Sequence, residues 1–353
     1  MQEFSFKILA LGRERYGSGT MRAARAEASG GDIWAKMKAG GDQGAGTDGA
    51  LARWFHRRGW SDTVIALPYL WLIAFFLLPF LIVIAMSVAT RTPTAPPFRF
   101  GGDNPVVNLE GYARLFTDAL YLRAFLISLG NAATATLLCL ALGYPMALAL
   151  TRVGKGWRSV LLMLMILPFW TSFLLRVYAW MGLLGSKSWF NQMLTGWYNA
   201  LTPEAWALNS LPMMHSNFAV VLVMVYTYLP FMILPLYANL ERLDPNLNEA
   251  AMDLGSRPAR VFLDVTLPQS IPGIIAGGLL VFIPAAGELV IPSLVGDAGR
   301  PMIGRVISDE FAVARDWPMA SSVAVALLIL MVFPMVAYTH FQARAEARRA
   351  LPP

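Results

Sequence analysis

Glu288 is the one acid set well inside a long apolar run, VFIPAAGELVIPSLVG. A carboxylate at membrane depth costs about 2.5–3.5 kcal/mol to insert, so it faces a cavity or a partner. Arg176, in LPFWTSFLLRVYAW, is the basic residue placed most like it. Two chemistries fit these residues. If both side chains face the interior of a helix bundle, they neutralise each other; otherwise Glu288 lines a path. Aromatic residues cluster in WTSFLLRVYAW and VYTYLP, with Trp170, Tyr178, Trp180, Tyr226 and Tyr228. Such rings can cage an ammonium group, each face contributing about 0.5–2 kcal/mol. The same residue types also suit an interfacial belt or ordinary packing.

Other chemistry is missing its parts. Cys139 is the single cysteine, which excludes an intrachain disulfide and any cysteine-cluster metal site. His56, His215 and His340 are scattered without ligand spacing, so no metal ligand is assigned. Paired catalytic carboxylates and a nucleophile constellation are lacking, so no catalytic residue is assigned and a non-catalytic chain is expected. No G-x-x-x-x-G-K-[ST] loop occurs, so a nucleotide would have to sit on another polypeptide.

The elements that hold these residues follow from composition. Of 353 residues, 56% are hydrophobic and only 14% charged, which describes a membrane protein rather than a soluble globule. A spanning helix needs about 20 apolar residues to cross about 30 Å of hydrocarbon. Six blocks qualify, at roughly 63–89, 124–150, 158–184, 217–240, 270–292 and 318–341. Several contain prolines (Pro79, Pro145, Pro168, Pro230, Pro235, Pro284 and Pro334), which a helix bundle tolerates because neighbours satisfy the freed carbonyls. The expected fold is therefore an all-α membrane protein with six transmembrane helices.

The net charge of +6 is read in that frame, as cytoplasmic loops and not as a nucleic-acid surface. Arg53, Arg57 and Arg58 precede the first block, Arg152, Lys155 and Arg158 fill the turn after the second, and ARAEARR ends the chain. With six spans all three lie on one side, which places both termini in the cytoplasm. The opposite loops, about 90–123, 185–216 and 293–317, are longer or carry both signs. Residues 1–60, rich in Gly, Ala and charge, read as a mobile cytoplasmic tail. The apolar piece FSFKILALG is too short for a cleaved leader. Residues 61–123 then hold the first span and its outer loop, 124–341 a five-helix core, and 342–353 a cytoplasmic tail.

One cytoplasmic segment interrupts this apolar pattern. In LDPNLNEAAMDLGSRP, Asp244 suits an N-cap and Pro245 the first helical position. Gly255 suits the left-handed position after a helix, and Pro258 stops continuation. Leu247, Ala250, Ala251 and Leu254 form one apolar stripe, with Asn246, Glu249 and Asp253 on the polar face. A helix of about ten residues is marginal alone, so the stripe must dock on something. Packing on its own bundle or lying at the lipid surface are the plain alternatives.

Glu249-Ala250-Ala251, Gly255 after three residues, then Val265 and Leu267-Pro268 closely resemble the EAA loop of ABC importer permeases, with Val265 in the place of the family's Ile. LPFWTSFLLRVYAWMGLLG at 167–185 and LVFIPAAGELVIPSLVG at 280–296 look like permeases of putrescine/spermidine-type importers. The resemblance implies an ABC type-1 importer permease fold over 124–341, with the loop at 241–268 forming a coupling helix. In that case Glu249, Ala250, Ala251, Asp253 and Gly255 meet a cytoplasmic ABC ATPase dimer, which binds ATP and Mg while this chain binds no cofactor. It further implies a second homologous permease, an extracytoplasmic solute-binding protein, a polyamine cargo and the bacterial inner membrane. For such a cargo the path candidates are Glu288, Arg176, Trp180, Tyr226 and Tyr228. An importer for another small organic solute shares the same frame. An ion-coupled secondary transporter would instead use paired intramembrane charges.

Overall fold

The computed structural model describes residues 66–101 and 107–349. The expected tail at 1–60 lies outside the described residues, as does the very end of the chain. Contacts divide the chain into Met1–Leu78 and Pro79–Pro353. Helix α1, Ala66–Ser87, begins in the first unit and ends in the second. It is apolar on every face, which suits a span surrounded by lipid.

In the second unit, a two-residue ribbon pairs β1 (Thr90–Arg91) antiparallel with β2 (Phe98–Arg99). This small hairpin is the one departure from an all-helical fold among the described residues. Then follow α2 (Glu110–Thr117), α3 (Ala119–Arg152), α4 (Lys155–Ile166), α5 (Phe173–Leu184), α6 (Trp189–Leu201) and α7 (Asn217–Leu240). After them come α8 (Pro245–Asp253), α9 (Pro258–Ala286), α10 (Val290–Val295), α11 (Ile303–Ala312) and α12 (Trp317–Arg349). The expected C-terminal tail thus begins as the last turns of α12.

Among the described residues, five helices are long and apolar enough to cross a membrane: α1, α3, α7, α9 and the part of α12 from Trp317 to Val336. The block expected as one straight span at 158–184 is broken. Gly156–Trp170 and Phe173–Leu201 meet at an angle of 89°. The cause lies in the sequence: Pro168 enters a 3-10 turn, Leu167–Trp170, and Thr171 and Ser172 are extended. The broken segment nevertheless meets α7 and its flanks in reverse sequence order. Arg158 bonds Glu241 at 2.7 Å, Phe169 meets Phe231 at 5.2 Å between ring centroids, Trp180 meets Tyr226 at 5.5 Å, and Asn191 bonds the Leu211 carbonyl beyond the other end of α7 at 3.0 Å. Counted as one traverse, it is third in chain order and brings the crossings among the described residues to six.

The fifth block also differs from its expected 270–292. α9 starts at Pro258 and ends at Ala286, so Glu288 sits in a break and not inside a continuous helix. Early in α9, residues Phe262–Thr266 form a π-turn ending two residues before Pro268; α1 has the same arrangement, with Ile73–Leu77 ahead of Pro79. A proline removes one N–H and crowds the carbonyl four residues back, and a widened turn relieves both.

The core is centred on α7, where Val223, Met224, Met232, Ile233 and Leu236 are fully buried. Small residues let α3 and α9 approach it closely. A Cβ on Gly143 would lie 3.1 Å from Met232, and one on Gly277 would lie 3.0 Å from the Met232 carbonyl oxygen. Close backbone approach at small residues is how membrane helices gain packing without a hydrophobic drive.

Candidate functional site

Helix α8 is built by its caps. Asp244 accepts a hydrogen bond from the Asn246 N–H at 3.0 Å, and Pro245 occupies the first helical position. At the other end Gly255 has φ +87°, with its N–H on the Met252 carbonyl at 2.8 Å and the Ser256 N–H on the Ala251 carbonyl at 3.1 Å. That bond pair is a Schellman closure, which needs a residue at ease in the left-handed region. Pro258 does more than halt the helix. It occupies the first position of α9, so only Leu254 to Arg257 separate the two helices.

The apolar stripe of α8 does not pack on its own bundle. Leu247 and Ala250 are exposed and Leu254 is 88% exposed, while Ala251 alone is half-buried. The face turned to the spans instead carries Asn248, which accepts a hydrogen bond from Thr266 Oγ1 at 3.2 Å, in the π-turn of α9. Glu249 and Asp253 are exposed. Between α8 and the span ends lies a cavity of about 540 Å³ lined by Arg152, Arg158, Glu241, Asn248, Met252 and Thr266. The turn after α3 and the α8 loop therefore share one end of the molecule. The ribbon, the start of α3 and α11 share the opposite end, through Arg91–Asp316 at 3.2 Å and Ser128 to the Ile303 N–H at 2.7 Å.

Near that opposite end, Glu288 is 8% exposed and fully engaged. One carboxylate oxygen accepts from the Tyr228 hydroxyl, and the other from the N–H groups of Val290 at 3.0 Å and Ile291 at 3.4 Å. Glu288 thus caps α10 and ties it to α7. The break is packed tightly from a third side: a Cβ on Gly304 of α11 would lie 2.6 Å from the Gly287 carbonyl oxygen.

The ion pair between Glu288 and Arg176 is not formed. The Arg176 guanidinium lies over Phe169 at 5.1 Å and Phe173 at 5.8 Å, and its Nε has no hydrogen-bond partner among the described residues. The five aromatic residues do not converge on one cage. Trp180 and Tyr226 form an edge-to-face pair, Tyr228 is buried against Glu288, and Trp170 and Tyr178 point outward. Sequence reasoning missed the bond between Arg158 and Glu241, whose partners are 83 residues apart, and the Tyr228–Glu288 bond. For the latter a signal existed, because an acid inside an apolar run demands a donor.

Comparisons with known proteins agree with this arrangement. Residues 140–347 match the family described as binding-protein-dependent transport system inner membrane component. The spermidine/putrescine transport system permease protein PotB of Haemophilus influenzae is 38% identical over 277 residues, covering 78% of this chain and 91% of that protein. Its Escherichia coli K12 counterpart is 39% identical over 269 residues, covering 76% and 92%. The inner membrane ABC transporter permease protein YdcU of E. coli K12 is 35% identical over 257 residues, covering 70% and 79%. In fold, the chain resembles a bacterial ABC transporter that imports the acidic polysaccharide alginate. The TM-score is 0.61 at 15% identity, covering 84% of this chain and 99% of that one. A doubly capped helix exposed between two spans, a six-crossing helical frame and this family match lead to one conclusion: the chain belongs to the binding-protein-dependent transport system inner membrane components, the non-catalytic permease subunits of ABC importers.

Proposed function

We propose that this chain forms half of the translocation path of an ATP-driven importer for polyamines of the putrescine and spermidine class, delivered by an extracytoplasmic binding protein. The likeness to spermidine/putrescine permeases over more than nine-tenths of their length carries the substrate assignment. A second permease subunit of similar fold would complete the path.

In this reading α8 is the joint with a cytoplasmic ATPase dimer, which holds the ATP and Mg. Its outward Leu247, Ala250 and Leu254 supply apolar contact, and Glu249 and Asp253 supply charge at the rim. A closing ATPase moves α8, and the short link from Gly255 to Arg257 passes that displacement into α9 with little slack. Both chain termini would then be cytoplasmic, on the side of the Arg152, Lys155 and Arg158 turn. Along the path, the ring faces of the Trp180–Tyr226 pair are the proposed contact for an ammonium group. Glu288 and Tyr228 hold the break that shapes the outer end, and Arg176 stays over its two phenyl rings.

Proteoliposomes holding the whole assembly test the proposal. Labelled spermidine should enter only with ATP inside and binding protein outside. Uptake by this chain alone, or uptake driven by an ion gradient without ATP, would overturn it.

A further inference from the structure

Helix α6 is arranged inside out for a helix in water. Asn191 and Thr195 face inward and are buried, at 0% and 5% exposure. Trp189, Met193, Trp197 and Leu201, spaced four residues apart on one slanted stripe, face outward, with Trp197 66% and Leu201 87% exposed. No Asp, Glu, Lys or Arg occurs from Trp189 to Leu201.

The orientation is fixed by hydrogen bonds. Asn191 Nδ2 donates to the carbonyls of Leu184 at 3.1 Å and Leu211 at 3.0 Å, and its Oδ1 accepts from the Leu211 N–H at 3.1 Å. The Leu211 N–H also reaches Thr195 Oγ1 at 3.0 Å. One turn on, Asn199 and Leu208 exchange two bonds of 2.9 Å. The loop that follows α6 is thus strapped beneath its polar face, and rolling the helix to bury its tryptophans would break every strap.

We infer that α6 lies in the membrane interface at the end of the bundle opposite α8, with Trp189, Met193, Trp197 and Leu201 sunk at the boundary between headgroups and acyl chains. Three observations select lipid over a protein partner. The helix before it, α5, also exposes apolar residues (Leu174, Leu175 and Tyr178), and it belongs to the broken membrane crossing. Tryptophan is the residue that favours that depth, with an apolar body and one N–H for the headgroups. The stripe also lacks the charges that a soluble partner would use for register. Trp206 and Leu208, on the strapped loop, are exposed as well and widen the footprint. The anchor would steady the outer end of the broken third crossing while the spans around it move. This rests on the chain being a membrane subunit, not on what it transports.

The test is spin-label accessibility in the complete assembly, held in phospholipid nanodiscs. In a Cys139→Ser background, Met193→Cys and Trp197→Cys are labelled separately with a nitroxide, and collisions with dissolved oxygen and a water-soluble nickel chelate are compared. Oxygen collisions should exceed nickel collisions several-fold at both sites. Nickel access equal to or above oxygen access would put α6 in water and overturn the inference. Low access to both reagents would overturn it in favour of burial against another subunit or the binding protein.

Discussion

At the scale of single residues, Glu288 shows how burial decides role. Both of its oxygens are engaged, by the Tyr228 hydroxyl and by backbone N–H groups of α10, and the residue is buried. Glu288→Ala leaves that hydroxyl and those N–H groups without their acceptor. A buried polar group left without a partner costs about 1–3 kcal/mol. The purified assembly should therefore melt several degrees lower with Glu288→Ala, and clearly less so with Glu288→Gln, whose amide oxygen still accepts. Equal transport loss in both variants with unchanged melting would instead make the charge itself the working element. Asp244 is the simpler case: Asp244→Ala removes one cap bond worth about 1 kcal/mol. Because α8 is exposed, the loss should appear as faster amide exchange in α8 and not as global unfolding.

At the scale of elements, α8 was legible in the sequence to the residue. Asp244, Pro245 and Gly255 are local signals, and each acts within a turn of its own position. The direction of its stripe was not legible, because which face is free depends on Asn248 meeting Thr266 across 18 residues. The same limit explains the other misses. Hydropathy ran the third crossing straight through Thr171 and Ser172, since both neighbours are apolar and Pro168 alone looks like a tolerated kink. Hydropathy also carried the fifth crossing on to residue 292, although Gly287 and Glu288 end the helix. Two variants separate docking from self-packing at α8. Leu254→Glu should leave stability within about 0.5 kcal/mol, as expected for an exposed site, yet reduce stimulated ATP hydrolysis several-fold. Gly255→Val forces a β-branched residue to φ +87°, where even an unbranched one costs roughly 1–2 kcal/mol. It should lower coupling while membrane insertion stays intact. Gly277→Val acts elsewhere. Its side chain meets the Met232 backbone where α9 crosses α7, and overpacking of this kind costs about 1–3 kcal/mol. Thermal stability should fall, with ATPase stimulation lost only in proportion to the protein unfolded.

At the scale of the whole molecule, the second unit, Pro79–Pro353, is a bundle centred on α7 with different equipment at its two ends. One end carries α8 and the turn with Arg152, Lys155 and Arg158. The other carries the ribbon, α11 and the capped break at Glu288. In the sequence, three arginine-rich flanks are expected on one side of six crossings, which makes orientation a prediction. Orientation is checked with reporter fusions: an enzyme active only outside the cytoplasm should be silent after Val153 and active after Thr202. The central claim is that an ATPase on a separate polypeptide grips the outward stripe of α8. Its most direct measurement is a cross-link from Leu254→Cys, in a Cys139→Ser background, in the assembled importer. A short bifunctional reagent should join this chain to the ATPase subunit, with a yield that changes when ATP is bound. Cross-links confined to this chain, or a free thiol that reacts with soluble reagents equally well with and without the ATPase, would contradict it.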